Sequence, residues 1–221
     1  DLLAAVWSMS REALVVGPNR IEKELIATAV SEINDCPFCV DVHTVMLKAG
    51  GLSIESSLRK SDEFSKIENW AKSTLDPNNE ILRNPPFKEE FRASYFGTAI
   101  AFHYMNRVVN IFMKEGSPLN MAGGSGWTRG LLKSIAARSI GKSILRKTGV
   151  PGMSLQFLPV QSALCEIPWI KNGGTVGHAL ALFFEILSKE GESVFSDLNS
   201  KNEIERIVNL WCGEPAPISK A

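Results

Sequence analysis

Cys36, Cys39 and His43 fall within eight positions, in the stretch NDCPFCVDVHT (34–44). On a helix at about 100° per residue they stand at roughly 0°, 300° and 340°, so all three side chains share one narrow face. The two cysteines are then close enough for a disulfide, and the imidazole lies one turn beyond Cys39. A cysteine in the first turn of a helix meets unpaired backbone N–H groups and the positive end of the dipole, which favour thiolate over thiol. A nearby imidazole accepts the proton directly or through water. These are the requirements of a nucleophilic thiolate with a resolving partner. The same residues also compose most of a zinc site, or three side chains packed in a helical core.

The elements around the motif decide which chemistry is feasible. In IEKELIATAVSEI (21–33) the apolar residues Ile21, Leu25, Ala29 and Ile33 recur at four-residue steps, with Glu22, Lys23, Glu24 and Glu32 between them. That is helical periodicity, not the alternation of a strand. Pro18–Asn19 supplies a start signal and Asn34–Asp35 a stop. A second helix begins with Cys36 as N-cap and Pro37 in the first helical position, and runs to about Lys48, where AGGLS provides glycine for termination. Further helices are expected at 53–60, 62–75, 88–115, 127–147, 173–190 and 200–212, punctuated by DPNN, NPPF, GSPLNMAGGSG, TGVPG and KNGG. Alternating Val/Ile runs between short turns are scarce, so the fold class is all-α. No fixed-period repeat is visible, which argues against a solenoid. The expected organisation is a helical region over 1–115 carrying the motif, a Gly-rich linker or loop at 116–126, and a helical region over 127–221 that can belong to the same domain.

Four readings of the motif follow. Cys-Pro-Phe-Cys looks much like a glutaredoxin dithiol, but that fold needs a β-strand immediately before the motif, and here an amphipathic helix precedes it. Zinc requires a fourth ligand; no second Cys/His cluster follows, and Glu24 is the candidate to complete the set. Simple packing of buried free cysteines is common. The fourth reading comes from Glu24 in the upstream helix. The pattern Glu24-x11-Cys36-x2-Cys39-x3-His43 resembles the active-site motif of the AhpD-like alkylhydroperoxidases, within the carboxymuconolactone decarboxylase superfamily. The surrounding ELIATAVSEINDCPFCVDVHTVMLKAGG is similar to that family down to the glycine pair after the motif helix, and the resemblance covers residues 18–52.

That resemblance implies an all-helical, usually oligomeric subunit that reduces peroxides through the cysteine pair. Carried over by position, Cys39 resembles the peroxidatic cysteine and Cys36 the resolving one. His43 and Glu24 resemble members of a proton relay serving the thiols and the leaving oxygen. Helix position favours a depressed pKa for both thiols, so only the resemblance selects Cys39 as the attacking group. The chain departs from the peroxidase pattern between the cysteines, where a further histidine is common and Pro37 and Phe38 stand instead. The decarboxylases of the superfamily lack the cysteine pair, which makes decarboxylation the lesser expectation.

Composition bounds the remaining possibilities. The chain has 221 residues, 44% hydrophobic and 22% charged, with 24 basic and 24 acidic side chains. A zero formal charge gives no electrostatic reason to expect nucleic acid or an anionic membrane as partner, and offers little protection against self-association. The four cysteines are too few for a disulfide-stapled secreted scaffold, and Cys165 and Cys212 read as buried singletons. The opening DLLAAVWSMSREALV lacks a basic leader region and is interrupted by Arg11 and Glu12, so it does not read as a signal peptide; it also has no initiator Met. ASYFGTAIAFHYMNRVVNIFM carries His103, Asn106 and Arg107 in its middle and reads as a buried helix, not a membrane span.

Within that segment His103, Asn106, Arg107 and Asn110 keep i, i+3, i+4, i+7 spacing. They either line a pocket near the thiols or form a polar stripe bonded to neighbouring loops, the second being the plainer reading. His178 reads as a helix-start residue and GGSGWTRG (123–130) as a linker that lacks the end of a phosphate loop. KSILRKTG (142–149) reads as a basic helix end.

The reading is therefore an AhpD-like thiol peroxidase, cytoplasmic and homo-oligomeric, with a disulfide between Cys36 and Cys39. It needs no metal or organic cofactor, acts on a hydroperoxide, and is restored by a lipoyl or thioredoxin-like dithiol protein. The runner-up is a helical binding or redox-sensing protein that keeps the dithiol, and metal binding is third.

Overall fold

The computed structural model describes residues 2–52, 61–112, 135, 139, 141–158 and 168–191. Among these, every named element is helical and no strand forms; one isolated bridge joins Val16 and Gly149. The expected all-α class is borne out. The described residues divide into two compact units, those within 2–16, 76–97, 149–158 and 168–191 in one, and those within 17–52, 61–75, 98–112 and 141–148 in the other.

The unit that holds the motif is built on α2 (Arg20–Ile33), α3 (Pro37–Ala49), α4 (Asp62–Ser73), the second part of α5 (Glu89–Phe112) and the short α6 (Lys142–Leu145). Helix α2 is its centre: every residue from Lys23 to Ser31 is buried. The charged positions between its apolar ones therefore do not all face water, since Lys23 and Glu24 are fully enclosed. Asn34 and Asp35 end α2 as expected. Asp35 takes the left-handed conformation at φ +49, and the Cys36 N–H donates back to the Ser31 carbonyl at 3.0 Å. This 6→1 closure satisfies a terminal carbonyl and turns the chain sharply into α3. Cys36 is the N-cap of α3 and Pro37 occupies its first turn, where a missing N–H costs nothing. At the far end Gly51, at φ +87, allows Leu52 N–H to reach the Leu47 carbonyl at 2.8 Å, and the Leu52 side chain is buried.

Helix α4 begins with Asp62 and Glu63 at the positive end of its dipole and buries Ile67, Trp70 and Ala71. Lys72 bridges Glu68 of its own helix and Glu32 of α2, each at 2.9 Å. These pairs are partly exposed and contribute modestly. In α5 the residues Ala99, Ile100, Ala101 and Phe102 are buried, whereas Ile111 and Phe112 at its end are exposed.

The other unit contains a helix over which the sequence showed no periodic signal. Helix α1 (Leu2–Ser10) passes directly into a π-turn at Arg11–Val15. Glu12 in that turn is fully buried, accepting from Ser154 Oγ at 2.5 Å and from the Gly152 N–H at 2.9 Å. Helix α8 (Gly174–Gly191) packs against α1 and against the short α7 (Pro168–Asn172). Gly177 makes the second contact possible, because a Cβ there would lie 2.6 Å from the Ile170 carbonyl oxygen. Phe87 and Phe91 pack their rings on Tyr95 at centroid distances of 4.9 and 5.7 Å.

The helices expected at 62–75, 88–115 and 173–190 form within a few residues of those limits. Those expected at 53–60 and 200–212, most of 127–147, the 116–126 linker, the 123–130 stretch, Cys165 and Cys212 lie outside the described residues. Among the described residues, no helix is long and apolar enough to cross a membrane.

Candidate functional site

The α2–α3 hairpin brings the four motif residues to one side of α3. Cys36 and Cys39 are joined as a disulfide with Cα atoms 5.4 Å apart, the separation that one helical turn from an N-cap provides. Both are buried, at 1% and 5% exposure. His43 lies one turn further along the same helix face, and its Nδ1 is 2.6 Å from Glu24 Oε2. Its ring meets Phe102 of α5 edge to face, with centroids 4.5 Å apart and planes at 88°.

Glu24 is fully buried, and burial alone would raise its carboxyl pKa. The hydrogen bond and charge of His43, followed by the charge and hydrogen bond of Arg20, outweigh burial and hold the carboxyl below its ordinary value. Glu24 is therefore a carboxylate and can only accept, so Nδ1 of His43 carries the proton of that bond. Fixing the proton on Nδ1 leaves Nε2 as the nitrogen able to take up or deliver another. Arg20 Nε donates to the second carboxylate oxygen, Oε1, at 2.7 Å.

Arg20 did not emerge as a candidate from the sequence, although its signal was present. It stands four residues before Glu24, the spacing at which a cation and an anion on one helix meet. Phe102 had no such signal, because an aromatic in an apolar helix announces packing and nothing more.

The polar stripe of α5 follows the plainer of its two expectations. His103 Nε2 lies 2.8 Å from Thr74 Oγ1, and its Nδ1 lies 3.0 Å from Asn34 Nδ2. The Thr74 hydroxyl already donates to the Ala71 carbonyl at 2.6 Å, so it accepts from His103 Nε2–H, and Nδ1 accepts from the Asn34 amide. Both ring nitrogens are thereby satisfied in the neutral form. Burial, with the positive charge of Arg107 adding to it, pushes His103 down to about 4. Asn110 Nδ2 donates to the Asn34 carbonyl at 3.0 Å, and Arg107 donates to the His103 carbonyl at 2.7 Å. The stripe thus clamps the turn immediately before Cys36. Asn106 is buried and its Oδ1 accepts from Ser31 Oγ at 3.1 Å, while its Nδ2 has no partner among the described residues. His178 is in the second turn of α8, in the other unit. Among the described residues, no group of three or more His, Cys, Asp and Glu side chains is arranged to hold a metal ion.

An α-helical hairpin with a Cys-x2-Cys pair at the second helix's start and a carboxylate–imidazole pair beside it defines a class that comparison with known proteins makes specific. Residues 1–56 match the model of the carboxymuconolactone decarboxylase family, which bears out the resemblance carried by the motif. Over 99% of its length the chain is also 29% identical to an alkyl hydroperoxide reductase of Mycobacterium tuberculosis. The chain spans 62% of that relative's length. No solved structure matches the chain.

Proposed function

We propose that the chain is a thiol peroxidase that reduces hydroperoxides through Cys36 and Cys39, with Glu24 and His43 as its proton relay. The observation that carries this reading is the Glu24–His43 bond of 2.6 Å beside a cysteine pair already joined as a disulfide. The likeness to an alkyl hydroperoxide reductase supports it.

His43 takes the Cys39 thiol proton, and the thiolate attacks the peroxide. An S–O bond forms, the O–O bond breaks, and the departing alkoxide receives the proton to leave as an alcohol. The Cys39 sulfenic acid is then attacked by the Cys36 sulfur, forming the S–S bond and releasing water. Two electrons from a dithiol protein, of lipoyl or thioredoxin-like type, reopen the disulfide. The imidazolium formed in the first step is stabilised by the Glu24 carboxylate, as an orienting acid stabilises a catalytic histidine elsewhere. The low exposure of both cysteines favours small hydroperoxides and an extended dithiol arm. In this reading the protein acts in the cytoplasm as a homo-oligomer, its zero formal charge offering little resistance to self-association.

Burial of the pair also suits a second reading, in which the dithiol is a redox sensor that does not turn over. Peroxide consumption by the reduced protein with a dithiol donor separates the two. The peroxidase consumes many equivalents, and Cys39→Ser abolishes consumption; a sensor stops after one equivalent. Wild-type turnover that persists in Cys39→Ser contradicts the assignment of the attacking thiol.

A further inference from the structure

The orientation of the Glu24 carboxylate depends on a residue outside the Glu24-x11-Cys36-x2-Cys39-x3-His43 motif. Arg20 lies one helical turn before Glu24, on the same face of α2, and its Nε donates to Oε1 at 2.7 Å while Oε2 receives His43 at 2.6 Å. Each carboxylate oxygen therefore has one charged or chargeable partner, and the plane of the carboxylate is fixed by the two together. The Arg20 Nη1 nitrogen is buried and has no hydrogen-bond partner among the described residues. In an enclosed site the guanidinium's charge acts on Glu24 more strongly than it would in water.

We infer that Arg20 is a positioning residue of the Glu24–His43 relay: it holds Oε1, turns Oε2 onto the imidazole, and sets its own charge against the carboxylate. The inference rests on the reading of Glu24 and His43 as a relay. Among the described residues, the charged groups carried by α2, α4 and α5 do not replace it. On α2, Lys23 is buried beside Glu24 in the chain, and burial, with the charge of Arg20 adding to it, lowers it to about 8. From α3 the group facing Glu24 is His43 itself. From α5 the group on His43 is the uncharged Phe102 ring, while His103 and Arg107 are engaged with Asn34, Thr74 and a backbone carbonyl. On α4, Lys72 is committed to Glu32 and Glu68.

The test is a titration of the three histidines in the ¹⁵N-labelled 221-residue chain, comparing wild type with Arg20→Gln and Arg20→Lys. Gln removes the charge, whereas Lys keeps it on a differently shaped arm. The expected result is a proton-uptake midpoint for the pair about one unit higher in Arg20→Gln, a roughly tenfold gain in proton affinity, with Arg20→Lys within about threefold of wild type. The acid limb of peroxide-driven disulfide formation moves up with it. A wild-type midpoint in Arg20→Gln overturns the inference, as does an equal shift in both variants, which would mark a packing effect. If Arg20→Gln loses its helical content, Arg20→Lys decides alone: a retained midpoint supports the inference, and a shift of a unit or more overturns it. The titration needs no peroxide. A wild type that fails to consume peroxide would refute the peroxidase reading and leave the Arg20 result standing.

Discussion

Replacing Glu24 by Gln changes one atom type in a fully buried side chain and leaves its volume almost untouched. The consequences reach both stability and chemistry. In the wild type, Oε1 and Oε2 accept from Arg20 and His43 at 2.7 and 2.6 Å. Gln retains one acceptor oxygen, which stays with Arg20, and presents an NH₂ group to His43. The imidazole must then accept at Nδ1, which places its proton on Nε2 and removes the nitrogen that serves as base. Charge is lost as well: the Arg20 guanidinium remains enclosed without its carboxylate, and breaking a buried pair from one side costs about 3–5 kcal/mol. Retention of one hydrogen bond places Glu24→Gln near the lower figure, which for a chain of this size is a fall in melting temperature of about 6–12 °C. In the proposed mechanism the wrong tautomer lowers the rate of disulfide formation by about 10²–10⁴.

The pH dependence gives an independent sign. The folded carboxyl lies below its ordinary value, so its contribution to stability is present above the unfolded pKa and is lost as pH falls through the folded one. Glu24→Gln removes that acid-side loss. The assay is urea unfolding across pH together with stopped-flow peroxide oxidation at neutral pH. A variant less than about 1 kcal/mol destabilised, or one oxidised at the wild-type rate, would refute the reasoning.

Three further outcomes are expected. His103, lowered to about 4, is neutral in the fold while the unfolded chain titrates near the ordinary value, so stability should rise by about 3 kcal/mol from pH 4 to pH 6.5. A His103→Gln variant should flatten that slope in urea unfolding, and an unchanged slope would assign it to other groups. Phe102→Ala removes the ring against His43 and opens a cavity, which should cost about 3 kcal/mol and slow disulfide formation beyond what reduced stability explains. Gly177→Ala should cost about 1–3 kcal/mol by thermal unfolding, because its Cβ would meet backbone, which cannot swing aside.

The hairpin and its chemistry were legible because their signals are local. Cys36 as N-cap, Pro37 in the first turn and the Gly50–Gly51 stop are each specified by the residue that occupies the position, and the structure repeats them. The Glu24–His43 contact was legible only through spacing carried over from a known motif, since nothing in a single helix announces which residue of the next helix it will meet. Other features depend on tertiary context. Lys23 and Glu24 have the sequence appearance of a solvated face, yet α2 is enclosed on nearly every side, and burial of a charge is decided by neighbours and not by the helix bearing it. The Arg20–Glu24 spacing was visible but carries little weight in isolation, because i, i+4 pairs on surfaces are common and weak. Helix α1 escaped notice because LLAAVWSMS has no polar face to set a period.

The central claim is that Cys36 and Cys39 form one redox unit that peroxide oxidises directly. The reduced protein should be mixed with one equivalent of hydroperoxide, quenched by alkylation and digested for mass spectrometry. The account predicts loss of two hydrogens confined to a single Cys36–Cys39 disulfide, with Cys165 and Cys212 fully alkylated. Recovery of Cys36 and Cys39 as alkylated thiols after peroxide has been supplied would contradict it.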